Sequence, residues 1–493
     1  RPFFEHSVNE QGLVDAIRAR EAAPVNREAL VEVLREQYGS LENWGGAGQV
    51  PVAAREKVHA NISKLSSANT FTVCTAHQPN IFSGYLYFIY KTLHAIKLAE
   101  HLQEQHPYLQ FVPVFYIGTE DADLEELGKI FLGGEKLVWN TNQKGAVGRM
   151  KTMGLETLVN RIEGELSVQP HGKELMALIR SCYLDSEDVQ TATFRLLHSL
   201  FAEYGLVVLI PDHALLKREM TAIFEDDLFH HTAAGIVAAT NAKLGAKYKV
   251  QANPREINVF YLKDDIRNRI EKHGEGFFVV DTAISFTAEE MKREIQEHPE
   301  RFSPNVILRG MYQEMILPNI AFIGGGGELA YWLELKELFH YYKVPYPVQV
   351  LRNSMLLLEK KWEEKIQKLG FEVQDFFRSE QALLDELVKR DSAAQVHLTN
   401  EIRDTRAFYD HLRKVSGVID KTLETHVNAL ETKMLKKLEA LEKKLLRAEK
   451  RKFSDQQRQI QTIKKAIFPN GGLQERVENF MPWYAAYGKR IIA

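Results

Sequence analysis

The sequence predicts an α/β protein with a doubly wound parallel sheet as its core, helical insertions within it, and a long C-terminal α-helical coiled coil. Three observations predict it. Apolar runs at 71–75, 111–117 and 206–210 are continuous or nearly so, as in strands covered on both faces. Helical patterns at 84–104, 191–203, 215–228 and 328–342 alternate with strand-like segments. From Leu423 to Ala448, apolar residues step by three or four through a densely charged background.

Composition bounds the class. The chain has 493 residues, and at about 150 per domain it holds two to four domains. Hydrophobic residues are 45% and charged residues 26%, ordinary for a globular protein. Lys+Arg number 63 against 66 Asp+Glu, so a dedicated nucleic-acid binder is not expected. Cys74 and Cys182 cannot make a disulfide scaffold or a four-thiolate zinc site. No apolar run approaches the roughly 20 residues of a membrane span, and no signal-peptide pattern opens the sequence. The expectation is a cytoplasmic protein.

The elements follow in order. Residues 1–65 form a helical segment packing on the core, with Leu13, Ile17, Leu30, Val33 and Leu34 at helical spacing. Gly45, Gly46, Ala47 and Gly48 break that run. Residues 66–353 form the core, with further strands expected at 257–262, 277–280 and 319–323. Insertions are expected near 125–190 and 240–300. Residues 354–467 form the coiled-coil arm, rich in charge and without proline. Residues 421–470 hold 13 Lys+Arg against 6 Asp+Glu, which fits a solvated helix face better than nucleic-acid contact. The stretch from Lys433 to Lys437 superficially resembles a synthetase lysine loop, but it lies inside the heptad seam. Residues 468–493 form a C-terminal segment returning to the core.

Chemistry concentrates where strands end. His77, Gln78, Asn80 and Gly84 follow the first buried strand and open a helix, a junction where a doubly wound sheet binds ligands. An imidazole there can donate to phosphate oxygens, or it can merely cap the helix. Tyr87, Lys91 and His94 share a face of that helix. Lys91 could meet an anion, or it could lay its stem along core tyrosines. Glu120, Asp121 and Asp123 end the second strand. Carboxylates this close suit an amine, a sugar hydroxyl or Mg²⁺; the alternative is a solvated loop with helix capping.

Gly324, Gly325, Gly326 and Gly327 precede a helix that carries Glu328 and Tyr331. Their N–H groups can wrap an anion or a ribose, although neither a Walker loop nor the spaced dinucleotide pattern is present. Arg309 follows Ser303 and Asn305 in a further polar block. Arg255 and Asn258 precede a strand, where an arginine could clamp a carboxylate. No His/Cys cluster has zinc-ligand spacing, so no protein metal site is expected.

Five blocks together resemble the bacillithiol biosynthesis cysteine-adding enzymes. They are His77-Gln78-Pro79 with Gly84-Tyr85-Leu86-Tyr87 and Tyr90-Lys91; Val112-Pro113-Val114-Phe115-Tyr116 with Glu120-Asp121-Ala122-Asp123; Ser303 to Arg309 with Gln313 and Pro318; Gly324 to Tyr331; and Phe468 to Arg476. The resemblance implies a Rossmann-like core similar to that of class I aminoacyl-tRNA synthetases, and a coiled coil that makes a homodimer. It implies nucleotide binding by the loop matched at His77 and Gly84. The implied activity is the last step of bacillithiol synthesis, in which cysteine and glucosaminyl malate are joined through an amide bond. ATP is the expected activator, with Mg²⁺ as its candidate companion. Ala122 stands where the family usually has His, which removes an acid–base role from that position, and Tyr85 stands for a usual Pro. The rival expectation is a nucleotide-binding coiled-coil scaffold with a degenerate core.

Overall fold

The structure, a computed structural model, describes residues 2–41, 44, 50–392 and 397–492. The glycine-rich break at 45–48 lies outside the described residues. The chain divides into two compact units, one of Arg1–Met355 with Glu475–Ala493, the other of Leu356–Gln474.

Among its described residues the first unit holds twelve strands, β1 (Thr70–His77), β2 (Gln110–Ile117), β3 (Lys129–Leu132), β4 (Glu135–Val138), β5 (Val207–Leu209), β6 (Val259–Lys263), β7 (Ile266–His273), β8 (Gly276–Val279), β9 (Ser285–Phe286), β10 (Phe302–Pro304), β11 (Asn319–Gly324) and β12 (Val348–Leu351). The central sheet runs β12-β11-β1-β2-β5 and is parallel throughout. From β1 the chain adds β2 and β5 on one side, then returns to add β11 and β12 on the other. The winding direction therefore reverses between β1 and β11, which opens a crevice at their carboxyl ends.

The unbroken apolar runs have a direct cause. Seven residues of β1 and seven of β2 are buried, because helices cover both faces of the sheet. Phe71, Val73, Ile320, Ile323 and Val348 pack with Ala95, Ala99 and Leu102 of α1 (Leu86–Gln105) and with Ala16 and Ile17 of the helix Glu10–Ala22. Arg20 of that N-terminal helix is buried. Its guanidinium meets Glu314 Oε2 at 3.1 Å and the Asn319 carbonyl at 3.2 Å, at the start of β11.

Two further helices reach the crevice, α2 (Val306–Ile316) and α3 (Gly326–Trp332). The first insertion is the β3–β4 hairpin followed by helices Leu155–Leu166 and Gly172–Tyr183. The second is a five-stranded antiparallel sheet, β10-β6-β7-β8-β9, that runs on to Pro304. Two expected helices are broken. The first becomes Ala214–Arg218 and Thr221–His230, although the apolar spacing continues across the gap. The second becomes α3 and Lys336–Tyr342, because Glu334 turns in to accept the Gln251 and Ala252 amides at 2.7 and 3.1 Å.

The second unit is helical. Ile366, Phe376, Leu383, Leu387, Ile460 and Ile463 form its core. Two long helices, α4 (Thr399–Ile419) and α5 (Thr422–Lys450), are joined by two residues and pair along their length. So short a connection makes them antiparallel neighbours. Arg413 and Glu431 bridge them at 2.5 Å. At 29 residues, α5 is about 44 Å long, and a 3₁₀ turn at Arg451–Phe453 separates it from the next helix. The segment from Lys433 to Lys437 is helix throughout.

Candidate active site

The ends of β1, β2 and β11 converge on one cavity of about 350 Å³. It sits where the winding reverses, so the site follows from strand order before any side chain is considered. His77 closes β1, and its carbonyl accepts the Gly118 amide at 2.7 Å, which ties the first loop to the second.

The wall after β11 begins with Gly325, Gly326 and Gly327. Glu328 folds back and accepts the Gly325 amide at 2.8 Å, satisfying the backbone donor of the N-cap residue of α3. Its carboxylate also meets Lys91 Nζ at 2.8 and 3.0 Å. Lys91 is buried and donates to the Ala76 carbonyl at 2.5 Å, so it pins β1 to the glycine loop from behind. Burial raises the Glu328 pKa, but the charge of Lys91 and the Gly325 amide outweigh it and hold the carboxyl below its ordinary range.

His77 stands edge-on to Tyr87 and Phe88, with ring centroids 5.4 and 5.5 Å away. Its Nε2 is buried and has no hydrogen-bond partner among the described residues. Burial, and then the charge of Lys91, pushes its pKa down to about 3. The imidazole is therefore neutral at physiological pH.

The wall after β2 carries the acidic residues. Glu120 meets the buried Lys217 Nζ at 2.5 Å, a close ion pair rather than an aligned hydrogen bond. Lys217 donates to the Phe302 carbonyl at 2.6 Å. Asp121 Oδ2 accepts from Gln78 Nε2 at 2.9 Å, which joins the first loop to the second again. Thr119 Oγ1 is buried there without a partner among the described residues.

Four guanidinium groups complete the cavity. Arg309 of α2 donates to Tyr331 Oη at 2.6 Å and lies over the Tyr116 ring. Burial lowers its pKa, but Tyr331, Tyr116 and Glu328 reverse this and raise it. Arg267 of β7 donates to Ser303 Oγ at 2.9 Å and to the Pro304 carbonyl at 3.3 Å. Arg352, just past β12, makes a bidentate pair with Glu475 at 2.7 and 2.9 Å. Arg476 follows directly in the chain. Among the described residues, Arg267, Arg309 and Arg476 have no carboxylate partner.

Of the residues predicted from sequence, the cavity brings together His77, Gln78, Glu120, Asp121, Arg309, Gly325, Gly326, Gly327, Glu328 and Tyr331. The others lie elsewhere, for physical reasons. Asp123 is exposed and caps the short helix Leu124–Leu127, accepting the Glu126 amide at 2.9 Å. Lys91 lies behind Glu328. Asn80 is buried against Gly84, whose φ of +66° forms a turn before α1. Gly324 is the last buried residue of β11. Arg255 points to solvent, and Asn258 is held by Asp227 through its backbone and side-chain nitrogens at 2.5 and 3.0 Å.

Sequence reasoning missed Arg267, Arg352 and Arg476 as site residues. Arg352 had a signal, since it closes a parallel strand. Arg476 stands in the last of the recognised blocks. Arg267 had none, because its place depends on how the antiparallel sheet packs. No group of three or more His, Cys, Asp and Glu side chains able to hold a metal occurs among the described residues. No helix among them is long and apolar enough to cross a membrane.

Comparison with known proteins agrees with the Rossmann-like core and the helical C-terminal unit. Residues 1–353 match the family model described as "Bacillithiol biosynthesis BshC, N-terminal Rossmann-like domain". Residues 355–493 match "Bacillithiol biosynthesis BshC, C-terminal coiled-coil domain". A relative from Cytophaga hutchinsonii, named "Putative cysteine ligase BshC", is 40% identical over 97% of this chain and 88% of its own. One of the same name from Flavobacterium johnsoniae is 39% identical over 95% of this chain and 86% of its own. One from Salinibacter ruber is 29% identical over 97% and 87%. The chain belongs to the bacillithiol biosynthesis BshC family, a family of ligases.

Proposed function

We propose that this ligase forms the amide bond between the cysteine carboxylate and the amine of glucosaminyl malate, the last step of bacillithiol synthesis, with ATP as the activating co-substrate. One observation carries the reading: three guanidinium groups without a carboxylate ion-pair partner among the described residues line a cavity that Glu120 and Asp121 also line, with Arg267 near enough to both carboxylates to feel their charge. Unpaired guanidinium groups call for anionic ligands, and malate carboxylates and phosphates are such ligands. A carboxylate wall calls for an amine or sugar hydroxyls. The family relatives named as cysteine ligases support cysteine as the second substrate.

The residues present fit a nucleotide. Among the described residues, His77 Nε2 is a buried polar atom without a partner, and a Cβ added at Gly326 or Gly327 would meet nothing within 4 Å. Backbone there stands open to a ligand. ATP supplies the activation that a carboxylate needs before an amine can displace its oxygen. The bond formed is C–N; the bonds broken are that between the cysteine carbonyl carbon and the activated oxygen, which leaves with the phosphoryl or adenylyl group, and one amine N–H, whose proton passes to the leaving group or to water.

The protein's residues bind and orient. Arg267, Arg309 and Arg476 meet anionic groups, Asp121 positions the amine, and His77 acts as a neutral hydrogen-bonding group. A pKa of about 3 makes His77 a poor proton acceptor near neutrality. Mg²⁺, where it takes part, is held mainly by the phosphates, as is usual for this ion.

We propose further that the coiled coil pairs with a second copy. Leu423, Leu430, Met434 and Leu441 of the heptad seam remain 40–45% exposed although α4 covers α5. The catalytic reading is tested in a ligase assay with His77→Ala and Asp121→Asn. Each variant should lose about 100-fold or more in kcat/KM. Full activity in both removes the site assignment.

A further inference from the structure

The family division places everything after residue 355 in a coiled-coil domain. The structure distributes it differently, because Glu475–Ala493 belongs to the compact unit that holds the cavity. We infer that this closing segment is a working part of the site: Arg476 binds the anionic substrate, and Asn479 is a positioning residue for the loop that presents His77 and Lys91. The inference rests on the ligase reading for its substrate, but not for its geometry.

The loop between β1 and α1 is unusual. Phe82, Ser83 and Gly84 are consecutive residues with φ of +50°, +65° and +66°. For Phe and Ser this backbone costs about 1 kcal/mol or more each, so it persists where the surroundings hold it. Asn479 is one such restraint. It is fully buried, and its Nδ2 donates to both the Phe82 and the Gly84 carbonyls, at 2.8 and 2.5 Å. Its Oδ1 accepts the Met481 amide at 2.9 Å, which fixes the amide's orientation. The neighbouring Glu478 carbonyl accepts the Leu86 amide at 2.8 Å, one of the free donors of the first turn of α1. The Phe82 amide donates to Tyr183 Oη at 2.7 Å from the other side.

The consequence reaches the cavity. His77 lies just before this turn and Lys91 in the second turn of α1, so the turn sets the distance between them. Lys91 in turn holds Glu328 and the Ala76 carbonyl. Four residues before Asn479, Glu475 neutralises Arg352 and fixes its guanidinium over the Tyr87 ring, 4.9 Å from its centroid. Arg476, between these two anchors, has its backbone held on both sides while its side chain stays exposed at the cavity and free of any carboxylate among the described residues. A guanidinium on so fixed a base is suited to recognising a carboxylate or phosphate.

The test uses the full-length chain with Arg476→Ala, Arg476→Lys and Asn479→Ala. Arg476→Ala changes an exposed side chain, so its melting temperature should match the parent. Its KM for glucosaminyl malate should rise about tenfold or more with kcat little changed, and Arg476→Lys should restore part of this. Asn479→Ala should speed hydrogen exchange at the amides of residues 82–86 and lower kcat about 100-fold. A parental KM for Arg476→Ala, or parental exchange and kcat for Asn479→Ala, overturns the inference. Exchange needs no ligand. Failure of the parent protein to form product, with faster exchange in Asn479→Ala, therefore counts against the ligase reading while supporting the positioning role.

Discussion

His77 shows how burial decides chemistry at a single residue. Its imidazole lies among Tyr87, Phe88 and the ammonium of Lys91, and its pKa falls to about 3 from 6.5. Between those two values the unfolded chain binds a proton that the folded chain refuses. Stability is therefore lost as pH falls from about 6.5 towards 3. His77→Gln should shrink the drop in melting temperature between pH 7 and pH 4, and the His77 ring resonances should not titrate between pH 5 and 8. Asp121 and Asp123 make a second contrast. Both are carboxylates of one loop, but Asp121 faces the cavity with Gln78 while Asp123 caps a helix. Asp123→Ala should keep near-parental kcat/KM and cost about 1 kcal/mol of stability, measurable by urea unfolding. Comparable activity losses in Asp123→Ala and Asp121→Asn would contradict the assignment.

At the scale of elements, the turn before α1 holds three consecutive residues with positive φ, Phe82, Ser83 and Gly84. At Gly84 an added Cβ would stand 2.9 Å from Asn80 Cβ in a left-handed conformation. Gly84→Ala should destabilise the protein by about 1–2 kcal/mol, seen as a lower melting temperature, and slow turnover by displacing α1. What the sequence made legible depends on burial. β1, β2 and β11 lie inside the sheet, covered on both faces, and their apolar runs announced them. β12 is four residues long and mixed in character, and β10 has three residues. Neither contains a pattern long enough to show. The loops after β1, β2 and β11 were legible because ligands bind at strand ends whichever side chains are present. Arg267 was not, since it reaches the cavity from an antiparallel sheet whose packing no local pattern encodes. Arg255 and Asn258 looked like a site for the opposite reason: a polar cluster before a strand is equally suited to holding a buried turn, and Asp227 uses Asn258 that way.

The coiled coil leaves apolar seam residues of α5 uncovered within one chain. Replacing Leu430, Met434 and Leu441 with Asp should shift a dimer to a monomer in sedimentation velocity, with each monomer retaining its cavity. An unchanged sedimentation coefficient would show that the seam does not pair. The central claim is that strand order gathers three loops into a pocket that couples an amine to an activated carboxylate. The most direct test is the mass spectrum of products after mixing the protein with cysteine, glucosaminyl malate and ATP. A product at the summed mass of the two substrates less one water, formed by the parent protein and strongly reduced in Arg309→Ala, is the predicted result. No such product from folded parent protein, or equal yield from Arg309→Ala, would contradict it.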